Sequence, residues 1–270
     1  MRLSEPLAAS WKASLSLGFA RRGDRTVLAA RAQDGPLVVQ KALYPEGADV
    51  CHAIIVHPPG GIAGGDQLSL RAAVDAEAHA LLTTPGAGKW YRSAGPLAQQ
   101  SLQFDVRGTL EWLPRETIVF DGALAALETI VHLGAAARFI GWEVVCLGRA
   151  GSGERLRRGG LKISTRVLRE ERLVYVEKGE IDPAGPIMTS AVGLGGHTVF
   201  GTLIATCGGL APQIRAEAPA LAVTQLPHLV VARYLGDSSE EALGLFAHAW
   251  RAIRPAVAGR AAAAPRIWST

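Results

Sequence analysis

The sequence predicts a mainly β fold, a sandwich, barrel or solenoid of many short strands, with one long helix near the C-terminus. Three observations carry this. The apolar runs are short, and almost every one ends in Gly, Pro or Asp. The first of them alternates with period two. A 3.6-residue apolar period over a long helix emerges only after Ser238.

In chain order, Trp11, Ala13, Leu15, Leu17 and Phe19 alternate with Lys12, Ser14, Ser16 and Gly18, the pattern of a half-buried strand. The turn Arg21–Arg25 then makes a hairpin with a strand over Thr26–Ala30. A turn at Asp34-Gly35-Pro36 precedes runs at 37–40 and 51–57. Further strands are expected at 80–84, 99–106, 109–113, 116–120, 129–133, 142–147 and 161–168. No fixed-length repeat is visible, and no linker divides the chain, so residues 1–270 read as one unit. Ser238 and Glu241 form a capping box, Ala242, Leu245, Phe246, Ala249 and Ile253 share one helical face, and Pro255 is expected to end the helix.

Between Ile187 and Ile214 there is no charged residue, a length able to span a bilayer. Six glycines, four threonines and Pro212 make it a poor membrane helix, so Thr198–Phe200 and Thr202–Thr206 read as buried core strands. No membrane association is expected.

With 49% hydrophobic and 19% charged residues among 270, the chain has the composition of a packed globular body. Its net charge of +4 is scattered along the sequence, apart from Arg21, Arg22 and Arg25 and the stretch Arg155, Arg157 and Arg158. That distribution favours an acidic partner surface over nucleic acid, which calls for a basic stripe with stacking aromatics. Three cysteines with no CxxC pair argue against a disulfide-stapled secreted fold, and the N-terminus lacks an apolar signal core, so a cytoplasmic location is expected.

The familiar catalytic motifs fail on inspection. His57-Pro58-Pro59-Gly60-Gly61-Ile62-Ala63-Gly64-Gly65-Asp66 is a tightly turned loop that should present Asp66, but it lacks the helix N-terminus or lysine of a phosphate cradle. Thr84-Pro85-Gly86-Ala87-Gly88-Lys89-Trp90 mimics the end of a phosphate-binding P-loop, yet Thr83 replaces its first glycine and Trp90 the magnesium-binding hydroxyl. Ser152 is not framed as a nucleophile elbow, and adjacent Cys51 and His52 point to opposite faces of a strand. A small-molecule hydrolase on a β-rich fold is the alternative these residues leave open. The seven histidines show no zinc-ligand spacing.

Carboxylates inside apolar runs stand out: Glu111, Glu116, Asp121, Glu143 and Glu177. Each must face water, be paired, or meet a metal. As a set they are able to line a polar path through a β body.

The His57–Asp66 loop, the segment from Thr84 through Lys89, Tyr91 and Arg92 to Ser93, Leu110–Thr117 with Phe120–Ala123, and Leu147-Gly148-Arg149 with Gly153-Glu154 together resemble the signatures of the UreD (UreH) urease accessory family. The C-terminal Trp250, Arg254-Pro255, Gly259-Arg260 and Pro265-Arg266-Ile267-Trp268 extend the resemblance over essentially the whole chain. In the second signature, Trp90 stands where many relatives carry Phe or Val. The resemblance implies an elongated solenoid-like, β-helical body with a few helices and no catalysis. It implies partners, namely apo-urease, UreF and UreG, with GTP-dependent nickel insertion and nickel in transit rather than a stably bound cofactor. It also implies Asp66, Glu143 and Glu177 as nickel-path residues, with Glu111 and Asp121 behind them. Trp250, Arg254, Arg266 and Trp268 are the expected partner contacts.

Overall fold

In the computed structural model, which describes residues 10–269, the chain winds alternately through two stacked β-sheets. Its strands are β1 (Lys12–Arg22), β2 (Arg25–Asp34), β3 (Val38–Leu43), β4 (Val50–Val56), β5 (Gln67–Val74), β6 (His79–Thr83), β7 (Gly88–Trp90), β8 (Ala98–Val106) and β9 (Thr109–Trp112). There follow β10 (Thr117–Val119), β11 (Leu124–Leu133), β12 (Arg138–Leu147), β13 (Gly160–Arg169), β14 (Arg172–Ile181) and β15 (Val199–Ala205). Helix α1 (Ala211–Glu217), β16 (Ala222–Gln225), β17 (Val230–Gly236) and helix α2 (Ser239–Ala258) complete the described chain, with three short 3₁₀ turns.

One sheet has the order β14-β13-β11-β8-β5-β1-β2, the other β16-β17-β15-β12-β9-β6-β4-β3, with β10 and β7 paired beside β12. Successive passes stack in parallel, so β1, β5, β8, β11 and β13 lie side by side in one sheet and β4, β6, β9 and β12 in the other. This is a two-faced β-helix, in agreement with the solenoid-like body expected above. Ser14, Ser69, Ser101, Glu128 and Ser164 occupy equivalent register positions. Their unequal spacing in sequence explains why no fixed repeat is legible.

The core has two layers. Leu15, Leu70, Phe104, Val131 and Val167 pack between the sheets, while the outer face of the second sheet is covered by α1 and α2. β12 is buried on both faces, which is why its residues read as a nearly unbroken apolar run. Along it Phe139 and Val145 point between the sheets, while Ile140, Trp142 and Val144 point at the helices.

Several expectations are revised. Trp11 is half exposed and precedes β1. The alternating β5 and the strands β14, β16 and β17 were not anticipated, nor was α1. The two runs expected over 198–206 form one strand, because Gly201 lets Phe246 of α2 pack onto it. Helix α2 continues through Pro255 to Ala258 and ends on Gly259 in the left-handed conformation. Pro255 sits on the exposed side of the helix, where the Arg251 carbonyl it leaves without a helical partner can be hydrated. Among the described residues no helix is long and apolar enough to cross a membrane.

Candidate functional site

Four segments distant in sequence converge at one edge of the stacked sheets. The His57–Asp66 loop leaves β4 and enters β5, with Gly60 and Gly65 at positive φ. Asp66 is buried and turns back to close the loop, its carboxylate accepting from Ala63 N at 2.8 Å and Trp11 N at 2.7 Å. The loop therefore consumes Asp66 instead of presenting it. Ile62 N donates to Lys89 O at 2.7 Å and Tyr91 N to Ile62 O at 2.8 Å, which clamps the first glycine-rich segment to the second. Gly61 lies directly beneath the Tyr91 ring and Gly64 against Ser93, so neither position has room for a Cβ. The third segment joins through Gly88 N to Glu116 O at 2.9 Å and Phe120 N to Trp90 O at 3.0 Å, and the fourth through Gly148 N to Val119 O at 2.7 Å.

Beneath this edge lies a cavity of about 300 Å³ between the sheets, lined by apolar Leu70, Leu102 and Trp112 and by polar His57, Lys89, Thr117 and Glu143. A second cavity, of about 180 Å³, is lined by Thr129, Thr165, Glu177 and Thr202. Trp112 and Glu143 are walls of both. Glu143 projects inward from β12, accepts a hydrogen bond from Thr117 Oγ1 at 3.3 Å, and is pushed up to about 7 by burial, with the Glu177 charge adding to the rise. His57 Nε2 is buried with no hydrogen-bond partner among the described residues, and burial lowers the affinity of its ring for a proton against the pull of Asp66.

Register explains the second cavity. Thr129, Thr165 and Glu177 are neighbours across one sheet, and Glu143, Thr202 and Arg233 across the other. Glu177 bridges the two rows, accepting from Tyr175 Oη at 2.9 Å, from Arg233 Nε and Nη2 at 3.3 Å, and from Thr202 Oγ1 at 3.5 Å.

The remaining carboxylates lie elsewhere. Glu111 faces the opposite side of its sheet, toward α2, fully buried against Arg254 Nε, Trp250 Nε1 at 2.6 Å and His79 Nε2 at 2.7 Å. Alternation along β9 gives the reason, since Leu110 and Trp112 take the inner face and leave Glu111 on the other. Asp121 is near the surface, accepting from the backbone N–H groups of Arg157 and Arg158, each at 2.9 Å, and from the Arg158 side chain. The Arg158 ion pair and these amides hold it at about 2.

Among the expected partner contacts, Trp250 and Arg254 are buried, because they occupy the face of α2 turned to the sheet. They brace the fold and are not available to a partner. Trp268 is partly buried, stacked near Trp142 and Trp250 and donating to Thr83 Oγ1 at 2.9 Å, whereas Arg266 is exposed. Ser152 lies on an exposed 3₁₀ turn and donates to Arg149 O at 3.1 Å. Sequence reading placed Trp112 and Thr117 in a family signature and Thr202 in a core strand, but assigned none of them, nor Thr129 or Thr165, to a cavity wall. Only the cross-strand register brings them together, although Thr inside apolar strands was a signal available beforehand.

Comparison with known proteins gives a consistent result. The family described as "UreD urease accessory protein" matches residues 12–269. A protein of Dechloromonas aromatica named urease accessory protein UreD is 50% identical, covering 97% of this chain and 95% of its own length. Proteins of the same name from an Azoarcus species and from Methylobacillus flagellatus are 49% and 45% identical, each covering 96% of this chain and 94% and 95% of their own lengths.

Proposed function

The chain belongs to the UreD urease accessory protein family, and from that premise we propose that it is a cytoplasmic, non-catalytic scaffold of urease maturation. In this reading it binds apo-urease together with UreF and UreG and gives nickel a passage during GTP-dependent insertion. The observation that carries the reading is the pair of cavities sharing Glu143 and Trp112 as common walls, with His57 in the first and Glu177 in the second. Nickel(II) accepts carboxylate oxygen and neutral imidazole nitrogen, and these donors follow one another along the interior. Among the described residues no three His, Cys, Asp or Glu converge as a metal cluster. Successive sites of one or two donors bind weakly and suit passage over storage. Glu143, poised near neutrality, exchanges a proton for a cation at little cost.

The test is the nickel content and activity of urease from cells lacking this gene and restored with wild type, Glu143→Gln or Thr165→Phe. The first variant removes the shared carboxylate at constant shape, and the second fills the inner cavity while leaving the carboxylates in place. Both are expected to lower nickel occupancy while urease still co-purifies with the chain. Wild-type nickel in both variants would discard the passage and keep the scaffold, and full urease activity without the gene would discard the function.

A further inference from the structure

The basic stretch Arg155, Arg157 and Arg158 meets further basic residues distant in sequence. Arg92, Arg149, Arg157 and Arg158 gather on the outer side of the converging signature segments, around Asp121 and Glu154, with Arg155 next to Glu154 in the chain and Lys89 next to Trp90, whose carbonyl accepts from Phe120 N. The chain has 28 basic and 24 acidic residues. Six of the former and two of the latter lie in these segments, a local excess of four positive charges. Its arginines are held in place: Arg158 reaches Asp121 at 2.8 Å, Arg149 binds Glu154 at 2.5 Å, and the Arg149 guanidinium lies 4.6 Å from the centre of the Phe120 ring. Arg92 and Arg158 nonetheless keep 64% and 67% of their side-chain surface accessible. Tyr91, next to Arg92 in the chain, is 39% exposed and packs edge-on against Phe120.

We propose that this patch is a docking surface for an acidic segment of a partner protein. These pre-positioned guanidinium groups keep N–H groups that Asp121 and Glu154 do not use, and they lose little freedom when those groups bind a partner carboxylate. An exposed Tyr amid arginines is the composition of a protein interface. A nucleic acid would instead require a longer basic stripe with several stacking rings. Lys89 also lines the outer cavity, so a partner docked here would sit beside its wall. The surface binds or fails to bind whatever passes through the interior, and its test is independent of the nickel passage.

The experiment is fluorescence anisotropy of a labelled short poly-glutamate peptide with the full chain. Lys89 and Arg157 make no side-chain hydrogen bond or ion pair among the described residues, so Lys89→Glu with Arg157→Glu leaves the internal bonding intact. That double variant is expected to weaken binding by at least about tenfold, and added salt to weaken binding to the wild type. The same charge change at Arg22→Glu with Arg71→Glu, remote from the patch, is expected to leave affinity unchanged. Equal loss in both double variants, tighter binding of an oligothymidylate of equal charge, or no peptide binding at low salt would each overturn the proposal. If thermal melting shows the first variant unfolded, Lys89→Gln with Arg157→Gln replaces it, with the same outcomes deciding.

Discussion

Arg254 of α2 and Glu111 of β9, 143 positions apart in the chain, meet with both side chains entirely buried, the guanidinium Nε lying 3.1 and 3.0 Å from the two carboxylate oxygens. The same guanidinium binds Glu46 at 2.6 and 2.8 Å, and Glu46 in turn accepts from His52 at 2.7 Å. This network ties the terminal helix to the solenoid.

Removing its centre should be severe. Arg254→Met strands two buried carboxylates and is expected to cost about 3–5 kcal/mol in chemical denaturation. Arg254→Lys should rescue little of this, since an ammonium cannot serve both carboxylates in fork geometry. Near-wild-type stability in the Lys variant would refute the planar-fork account.

Acid should attack the same place. Burial disfavours the charged form of Glu46, but hydrogen bonds from His52 and Arg254 outweigh it and hold the carboxyl at about 2; Glu111 is lowered likewise against its burial by His79 and Arg254. Depressed carboxyls contribute stability above their unfolded value of 4.5 that is lost as pH falls toward about 2. Unfolding followed by tryptophan fluorescence should show a steep loss over that window, because Trp250 donates to Glu111.

Glu143 has the opposite sign. Its carboxyl is raised from 4.5 to about 7, so the folded state binds the extra proton between those values and stability falls as pH rises through them. Glu143→Gln should therefore stabilise the protein by about 1–3 kcal/mol above neutrality and change little near the acid end of that interval. Denaturant titrations at the two ends measure the difference, and parallel curves would contradict it.

The clamp between the glycine-rich segments predicts a reciprocal pair. Gly61→Ala places a methyl in the Tyr91 ring and should lower stability by about 1–3 kcal/mol. Adding Tyr91→Ala opens the space, so the double variant should cost clearly less than the two single costs added together. Strict additivity in a double-mutant cycle would show that the contact is not the cause.

How much of this was legible depends on range. The alternation from Ala13 to Phe19, the turn at Arg21–Arg25, the N-cap at Ser238 and the glycine-rich loops are local signals, each set by a few neighbouring residues, and the structure contains them, whereas the Glu241 carboxylate expected to complete a capping box accepts from Tyr234 Oη instead. Pro255 misled because a proline in the last turn gives up one hydrogen bond, and on an exposed helix face that loss is small. Glu111 and Glu143 look alike in sequence, each a carboxylate beside a tryptophan in an apolar strand. Strand alternation sends one toward Arg254 and the other between the sheets.

The sequence alone determined the mainly β architecture, the terminal helix and the family, because periodicity, turn chemistry and motif order are written in consecutive residues. Which carboxylate is paired, which lines a cavity, and which arginines meet around Asp121 and Glu154 were decided by tertiary structure. Those properties arise from the register between strands far apart in the chain, and register is fixed by the packing of both sheets at once.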